Sequence, residues 1–217
     1  MTRTIRRASI IRGLIIFVIP ALIGCSSARA AGLMPDPEPS AESYQVPDTS
    51  GPVAFVGDSL ANGMGRATAG ALNGGIVGAG LSVGQPTSNA AHWRLSSERA
   101  GMTLIEIGTN DFGYAGGSRY GDLLSKFILP LAPKPTLCIV LPPIPEKLSI
   151  RDGVIARGRT IQEWALAHGL RVVEPLFPPG QRARDGIHFT AAGYRAMADN
   201  AIAACRNYHI GVDASPT

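Results

Sequence analysis

Cysteine is scarce in this chain: three residues among 217, at positions 25, 138 and 205. Three thiols so far apart, with no histidines interleaved at short spacing, exclude a structural zinc cluster. No glycine-rich segment ends in Gly-Lys-Ser/Thr, so a phosphate loop is excluded too. A dinucleotide site needs an exposed acid roughly 20 residues beyond its glycine run. The run from Gly75 to Gly84 has no such acid, because Glu98 falls inside a predicted helix. No internal repeat is visible. A membrane-spanning helix needs roughly 18 apolar residues. No apolar run reaches that length; the longest, Leu14 to Ile23, falls short.

An excess of positive charge is missing as well, despite a formal net charge of +4. Arg3, Arg6, Arg7 and Arg12 crowd the start, and the first acid is Asp36. Once the segment Met1 to Gly24 is set aside, bases and acids balance. The basic balance belongs to a targeting segment and speaks against nucleic-acid binding. An arginine-bearing start and a short apolar run describe a signal peptide over residues 1–30. Two cleavage readings stay open, with an uncleaved anchor as the third option. Leu22-Ile23-Gly24-Cys25 matches a bacterial lipobox, with Cys25 lipid-modified and anchored; Ala28-Arg29-Ala30 fits cleavage and release. Ser26 after Cys25 is not the acidic residue associated with inner-membrane retention. The expectation is an exported protein, periplasmic or on the outer membrane, or else secreted.

What is present is a folding domain. Hydrophobic residues make up 45% and charged residues 17%. That is enough to build a core in one domain of α/β size. Residues 31–51, with Pro35, Pro37, Pro39 and Pro47, form a linker with little to pack. The domain is expected over 52–208 and a loose tail over 209–217. Within it, strand candidates at Val53–Val56, Ile76–Ala79, Thr103–Ile107, Thr136–Leu141 and Leu170–Glu174 alternate with helix candidates. The helices are expected at Leu60–Leu72, Ser88–Ala100, Arg119–Leu131, Ser149–His168 (stopped by Gly169), and from the N-cap Thr190 to Asn207. Such alternation predicts a three-layer α/β/α fold around a five-stranded parallel sheet. Cys138 in a strand and Cys205 in the last helix are either a disulfide or two separate buried thiols.

Ligands of such sheets bind beyond the carboxyl ends of the strands. Ser59 follows the first strand candidate within Gly57-Asp58-Ser59-Leu60. A serine there is an exposed hydroxyl that needs a base, and its own N–H at a helix N-terminus faces a developing oxyanion. Asp185-Gly186-Ile187-His188 supplies a base, His188, and an acid, Asp185, that fixes its tautomer. His92 and His168 lie on helices and His209 in the tail. Asn110, in Gly108-Thr109-Asn110-Asp111, offers a neutral side-chain donor; Asp111 is expected to hold the turn. A backbone donor is expected from the glycine run, at Gly80 with Gly84 next. The oxyanion site is thus Ser59, Gly80 and Asn110. Pro142-Pro143-Ile144-Pro145 is expected to wall the substrate site.

Gly57-Asp58-Ser59-Leu60, a glycine after the second strand, Gly108-Thr109-Asn110-Asp111 and Asp185-x-x-His188 resemble, in order, the four blocks of the SGNH (GDSL) hydrolase family. The match spans about 52–205, and departs from the family in that no single glycine stands out in the second block. The resemblance implies a flavodoxin-like fold, ester hydrolysis through an acyl-serine without metal or cofactor, and the roles just given. The expected partner is an acylated carbohydrate or a small ester, with a membrane contact only if Cys25 carries lipid. Deacetylation of envelope or secreted polysaccharide leads, since no lid domain is present to take a long acyl chain. An acyltransferase, a lysophospholipase or thioesterase, and a non-catalytic carbohydrate-binding lipoprotein are the alternatives.

Overall fold

Among the described residues five short strands alternate with five helices, as a three-layer α/β/α fold requires. The structure is a computed structural model and describes residues 50–114, 116–133 and 136–208. They fall within the compact unit Gln45–Thr217. The expected leader with Cys25, the linker up to residue 49 and the tail from His209 lie outside the described residues.

The strands are β1 (Val53–Gly57), β2 (Leu72–Gly75), β3 (Met102–Glu106), β4 (Leu137–Val140) and β5 (Arg171–Val173). The helices are α1 (Ser59–Ala67), α2 (Pro86–Ser97), α3 (Ser118–Phe127), α4 (Leu148–Ala167) and α5 (Ala191–Arg206), with a 3-10 turn at Leu129–Leu131. All strand pairs are parallel, in the order β2-β1-β3-β4-β5. This is the flavodoxin-like order, whose direction reverses between β1 and β3.

Strand alternation builds two cores. Val53, Phe55, Met102, Leu104, Cys138 and Val140 face α1 and α5. Ala54, Val56, Ile105, Leu137 and Ile139 face Trp93 of α2, Leu124 of α3 and Ile161 of α4. A strand buried on both faces shows no polar alternation, and β1 and β3 are buried at every position. Cys138 and Cys205 are bonded, with Cα atoms 6.0 Å apart, so β4 is stapled to α5. Thr190 caps α5 by accepting from Gly193 N–H at 3.1 Å, and Gly169 at φ +67° follows the end of α4, both as the sequence suggests.

The second strand departs from expectation. It runs over Leu72–Gly75, not Ile76–Ala79, and α1 stops at Ala67 rather than Leu72. Leu-Asn-Gly-Gly has low strand propensity, but packing decides. A Cβ at Gly75 would lie 2.1 Å from the Asn62 nitrogen, and one at Gly74 would meet the Ser96 hydroxyl at 2.8 Å. The glycines let this edge strand lie between α1 and α2. Ile76–Ala79, the more apolar segment, instead closes a turn, with Ala79 N–H donating to the Ile76 carbonyl at 3.1 Å.

Candidate active site

β1 ends at Gly57, whose φ of +137° suits glycine alone. A Cβ there would lie 1.6 Å from the Glu106 carbonyl oxygen of β3. The chain turns sharply, and Asp58 N–H donates to that carbonyl at 3.1 Å. Asp58 then caps α1: its Oδ1 accepts from Leu60 N–H at 2.9 Å, and its Oδ2 accepts from Thr109 N–H at 3.3 Å. One buried carboxyl therefore ties the Ser59 turn to the loop after β3. Ser59 is the first residue of α1, 8% exposed, at the opening of the β1/β3 switch point.

Asp185 and His188 sit at the tip of a small hairpin between β5 and α5. Ala183 N–H donates to the His188 carbonyl, and Thr190 N–H to the Gln181 carbonyl, both at 2.8 Å. Asp185 Oδ1 accepts from the Ile187 and His188 N–H groups, each at 2.9 Å, and its Oδ2 lies 2.5 Å from His188 Nδ1. The hydrogen bond to His188, ahead of the two backbone donors, lowers the Asp185 carboxyl to about 2. An ionised Asp185 accepts only, so Nδ1 carries the proton and Nε2 is left as an acceptor. Ser59 Oγ–H donates to that Nε2 at 2.9 Å. The three residues singled out in the sequence are therefore in contact, across 129 residues of chain. A serine hydroxyl bonded to an oriented imidazole is a poised nucleophile and base.

The donors lie nearby in the fold. Asn110 Nδ2 donates one N–H to the Ala79 carbonyl at 3.0 Å, which brings the loop after β3 against the loop after β2. Its second N–H, and the backbone N–H groups of Ser59 and Gly80, have no acceptor among the described residues. Asp111 is an acceptor, but not within its own turn: its Oδ1 accepts from Ser82 N–H (2.8 Å) and Ser82 Oγ–H (2.7 Å) of the loop after β2, and its Oδ2 from Tyr120 Oη–H (2.8 Å) of α3. A Cβ at Gly80 would lie 2.5 Å from Asp111 Oδ1, so the glycine run is needed for this close approach. Gly84 has φ +65° and its carbonyl accepts from Asn89 Nδ2, an opening role for α2.

The proline loop departs from expectation. Ser59 and His188 share a cavity of about 500 Å³ with Asn62, Arg66, Val77 and Tyr194, which the proline loop does not line. Pro142, Pro143 and Ile144 line a separate cavity of about 510 Å³ against α4, together with Arg182. Arg182 stands between the two. Its guanidinium stacks on Phe177 and Phe189 and donates to the Ile187 and Ile144 carbonyls. The loop after β4 thus buttresses the His188 hairpin, and Glu146 N–H donates to the Gly186 carbonyl at 2.8 Å.

Three contributors escaped the sequence reading. Glu106 ends β3 fully buried beside Asp58; burial, then the Asp58 charge, raise its carboxyl well above the ordinary range. Arg157, buried in α4, donates to the carbonyls of Gly108 (2.5 Å), Asp111 (3.0 Å) and Tyr114 (2.7 Å) and so holds the Asn110 loop from beneath. Tyr194 of α5 packs on Gly63 of α1. An acid at a strand end and an arginine in a helix have no local signature, and only the fold brings them to the site.

Sequence comparison matches the chain to no protein family and to no curated protein. Solved structures do match. A lipase/acylhydrolase from Enterococcus faecalis superposes with a TM-score of 0.53 at 17% identity, over 71% of this chain and 94% of that one. An acetyl xylan esterase from Geobacillus stearothermophilus gives 0.53 at 18%, over 75% and 97%. A protein described as of the lipolytic G-D-S-L family, from Desulfitobacterium hafniense, gives 0.52 at 13%, over 70% and 98%. The chain therefore has the three-layer α/β/α fold of the GDSL/SGNH lipolytic proteins and acetylxylan esterases.

Proposed function

We propose that this chain is an exported serine esterase that removes short acyl groups, acetyl foremost, from envelope or secreted polysaccharide. The observation that carries the esterase reading is the Asp185–His188–Ser59 relay, with distances of 2.5 Å and 2.9 Å. In this reading Ser59 Oγ attacks the ester carbonyl while its proton passes to His188 Nε2. Asp185 stabilises the imidazolium that forms. The carbonyl oxygen becomes an oxyanion and takes hydrogen bonds from the N–H groups of Ser59 and Gly80 and from Asn110 Nδ2. Collapse breaks the bond to the alcohol, which leaves with the proton from Nε2. Water, deprotonated by the same nitrogen, then attacks the acyl-serine, and the carboxylic acid leaves Ser59 with its proton restored.

The substrate reading draws on two supports. The fold is shared with an acetyl xylan esterase, and the leader and proline-rich linker suit a domain held outside the membrane. Acetate release from O-acetylated xylan, and from the same polymer after alkaline deacetylation, tests it. Release from the first only supports the reading; turnover of p-nitrophenyl acetate with no release from any acetylated polysaccharide overturns the polysaccharide assignment.

A further inference from the structure

Along α1, Ser59, Asn62, Gly63, Arg66 and Ala67 fall at i, i+3, i+4, i+7 and i+8, one face of the helix. All five line the cavity that holds Ser59 and His188. This groove starts at the nucleophile and runs toward the carboxyl end of α1. The helix rise between the two positions carries Arg66 about 10 Å from Ser59.

The groove walls are rich in donors. Gly75 N–H donates to Asn73 Oδ1, and Asn73 Nδ2 donates to Asn62 Oδ1 at 2.9 Å. That chain occupies the Asn62 oxygen and leaves its NH2 for a ligand. Tyr194 reaches the groove because residue 63 is glycine: a Cβ there would lie 2.2 Å from the ring. Arg66 is exposed and makes no ion pair or hydrogen bond among the described residues. Among the described residues no carboxylate lines this cavity, so Arg66 is the permanent charge there. Stabilising the end of α1 would account for an arginine in the last turn, but not for its place beside Asn62 and Tyr194 in the cavity of the nucleophile.

We infer that the alcohol side of the substrate carries a negative charge, held by Arg66 beyond the ester that Ser59 attacks. An acidic saccharide fits best: a carboxylate pairs with the guanidinium in two parallel hydrogen bonds. Its hydroxyls meet Asn62 and Tyr194. The inference rests on the esterase reading of Ser59, and it narrows the polysaccharide class to acylated polymers containing uronic acid.

The test compares four probes on the full chain. They are p-nitrophenyl acetate, an O-acetylated disaccharide containing a uronic acid, its carboxyl-reduced neutral counterpart, and the acetyl ester of glycerol phosphate. The wild type is expected to favour the acidic disaccharide over the neutral one about fivefold in kcat/KM, the reach of one exposed ion pair, with the preference falling as salt rises. Arg66→Gln brings that ratio to about one, and Arg66→Lys keeps part of it. Arg94→Gln, on the exposed face of α2, keeps the ratio whole. Turnover of p-nitrophenyl acetate with an acid-to-neutral ratio near one, or a ratio unmoved by Arg66→Gln, overturns this inference alone. A greater preference for the acetyl ester of glycerol phosphate than for the uronate overturns the acidic saccharide. No turnover of any ester by the folded chain overturns the esterase reading and this inference with it.

Discussion

Asp58 and Glu106 share one buried site directly beneath the helix that presents Ser59, and both are fully inaccessible to solvent. The Glu106 oxygens face Asp58 and the Ala61 N–H but meet neither in a regular hydrogen bond, whereas an ionised carboxylate in the interior demands full pairing. A proton on Glu106 that bridges to Asp58 answers this. Asp58 stays free to accept from Leu60 and Thr109 and so to hold the turn before Ser59. Burial raises both carboxyls, and the Asp58 charge raises Glu106 further.

This pair makes stability fall with rising pH. A carboxyl whose folded-state value is raised retains a proton that the unfolded chain has lost. Its stabilising effect is complete below the ordinary value of 4.5 and is lost as pH climbs toward the folded-state value. Glu106→Gln keeps a donor toward Asp58 and has nothing to titrate. We expect the wild-type melting temperature, relative to Glu106→Gln, to drop by about 3–5 °C per pH unit above pH 5 until Glu106 ionises. Parallel curves for the two proteins from pH 5 to 8 would rule out the shared proton.

Asp185 behaves in the opposite sense. Its carboxyl is lowered to about 2 by His188 and two backbone donors, so it stays ionised at every pH where the protein is assayed. Its stabilising effect is present above the ordinary value of 3.8 and fades only as pH falls through about 2. Asp185→Asn removes the acceptor that fixes the imidazole tautomer. We expect kcat on p-nitrophenyl acetate to fall by about a hundredfold to ten-thousandfold, with the thermal transition retained. An unchanged kcat would remove Asp185 from the relay.

Arg157 carries the loop of Asn110 on three carbonyls. Arg157→Met leaves those buried acceptors unpaired, at about 1–3 kcal/mol each. Arg157→Lys supplies one point donor in place of a planar fork and rescues part of this. If the loop positions Asn110 for the oxyanion, kcat falls more than KM rises in Arg157→Lys, measured at a temperature where it is folded. A melting temperature that falls while kcat holds would confine Arg157 to stability.

The Cys138–Cys205 bond closes a span of 67 residues. Chain-entropy arguments assign such a closure about 4 kcal/mol. Cys138 of β4 and Cys205 of α5 pack in one core, and neither lines the cavity of Ser59. The double variant Cys138→Ala, Cys205→Ala should lose roughly 2–4 kcal/mol in denaturant unfolding, with activity at room temperature retained. Equal stability of the two proteins would count against the bond.

The site was more legible in sequence than the sheet that positions it. Ser59, Asp185 and His188 sit in short segments whose turn chemistry and spacing are local, so their types and order point to a relay before any fold is known. Asn110 is legible for the same reason; Asp111 is not, because its partners Ser82 and Tyr120 come from other elements. The edge strand was not: Leu72–Gly75 pairs with β1 because its glycines admit α1 and α2, whereas periodicity favours the apolar Ile76–Ala79. The disulfide stayed open because only the fold sets the 6.0 Å between Cα atoms. Glu106, Arg157 and Arg182 act at long range. The proline loop reads in sequence as a substrate wall or a strand terminator, and only the long-range contact with Arg182 makes it a buttress.

Every role proposed above depends on Ser59 being the nucleophile of a short-chain esterase. Hydrolysis of p-nitrophenyl acetate and p-nitrophenyl octanoate, wild type beside Ser59→Ala, tests it most directly. Acetate is expected to turn over faster than octanoate, with a loss of at least about a thousandfold in a variant that melts as the wild type does. Hydrolysis that survives Ser59→Ala, or a folded wild type that cleaves neither ester, would contradict it.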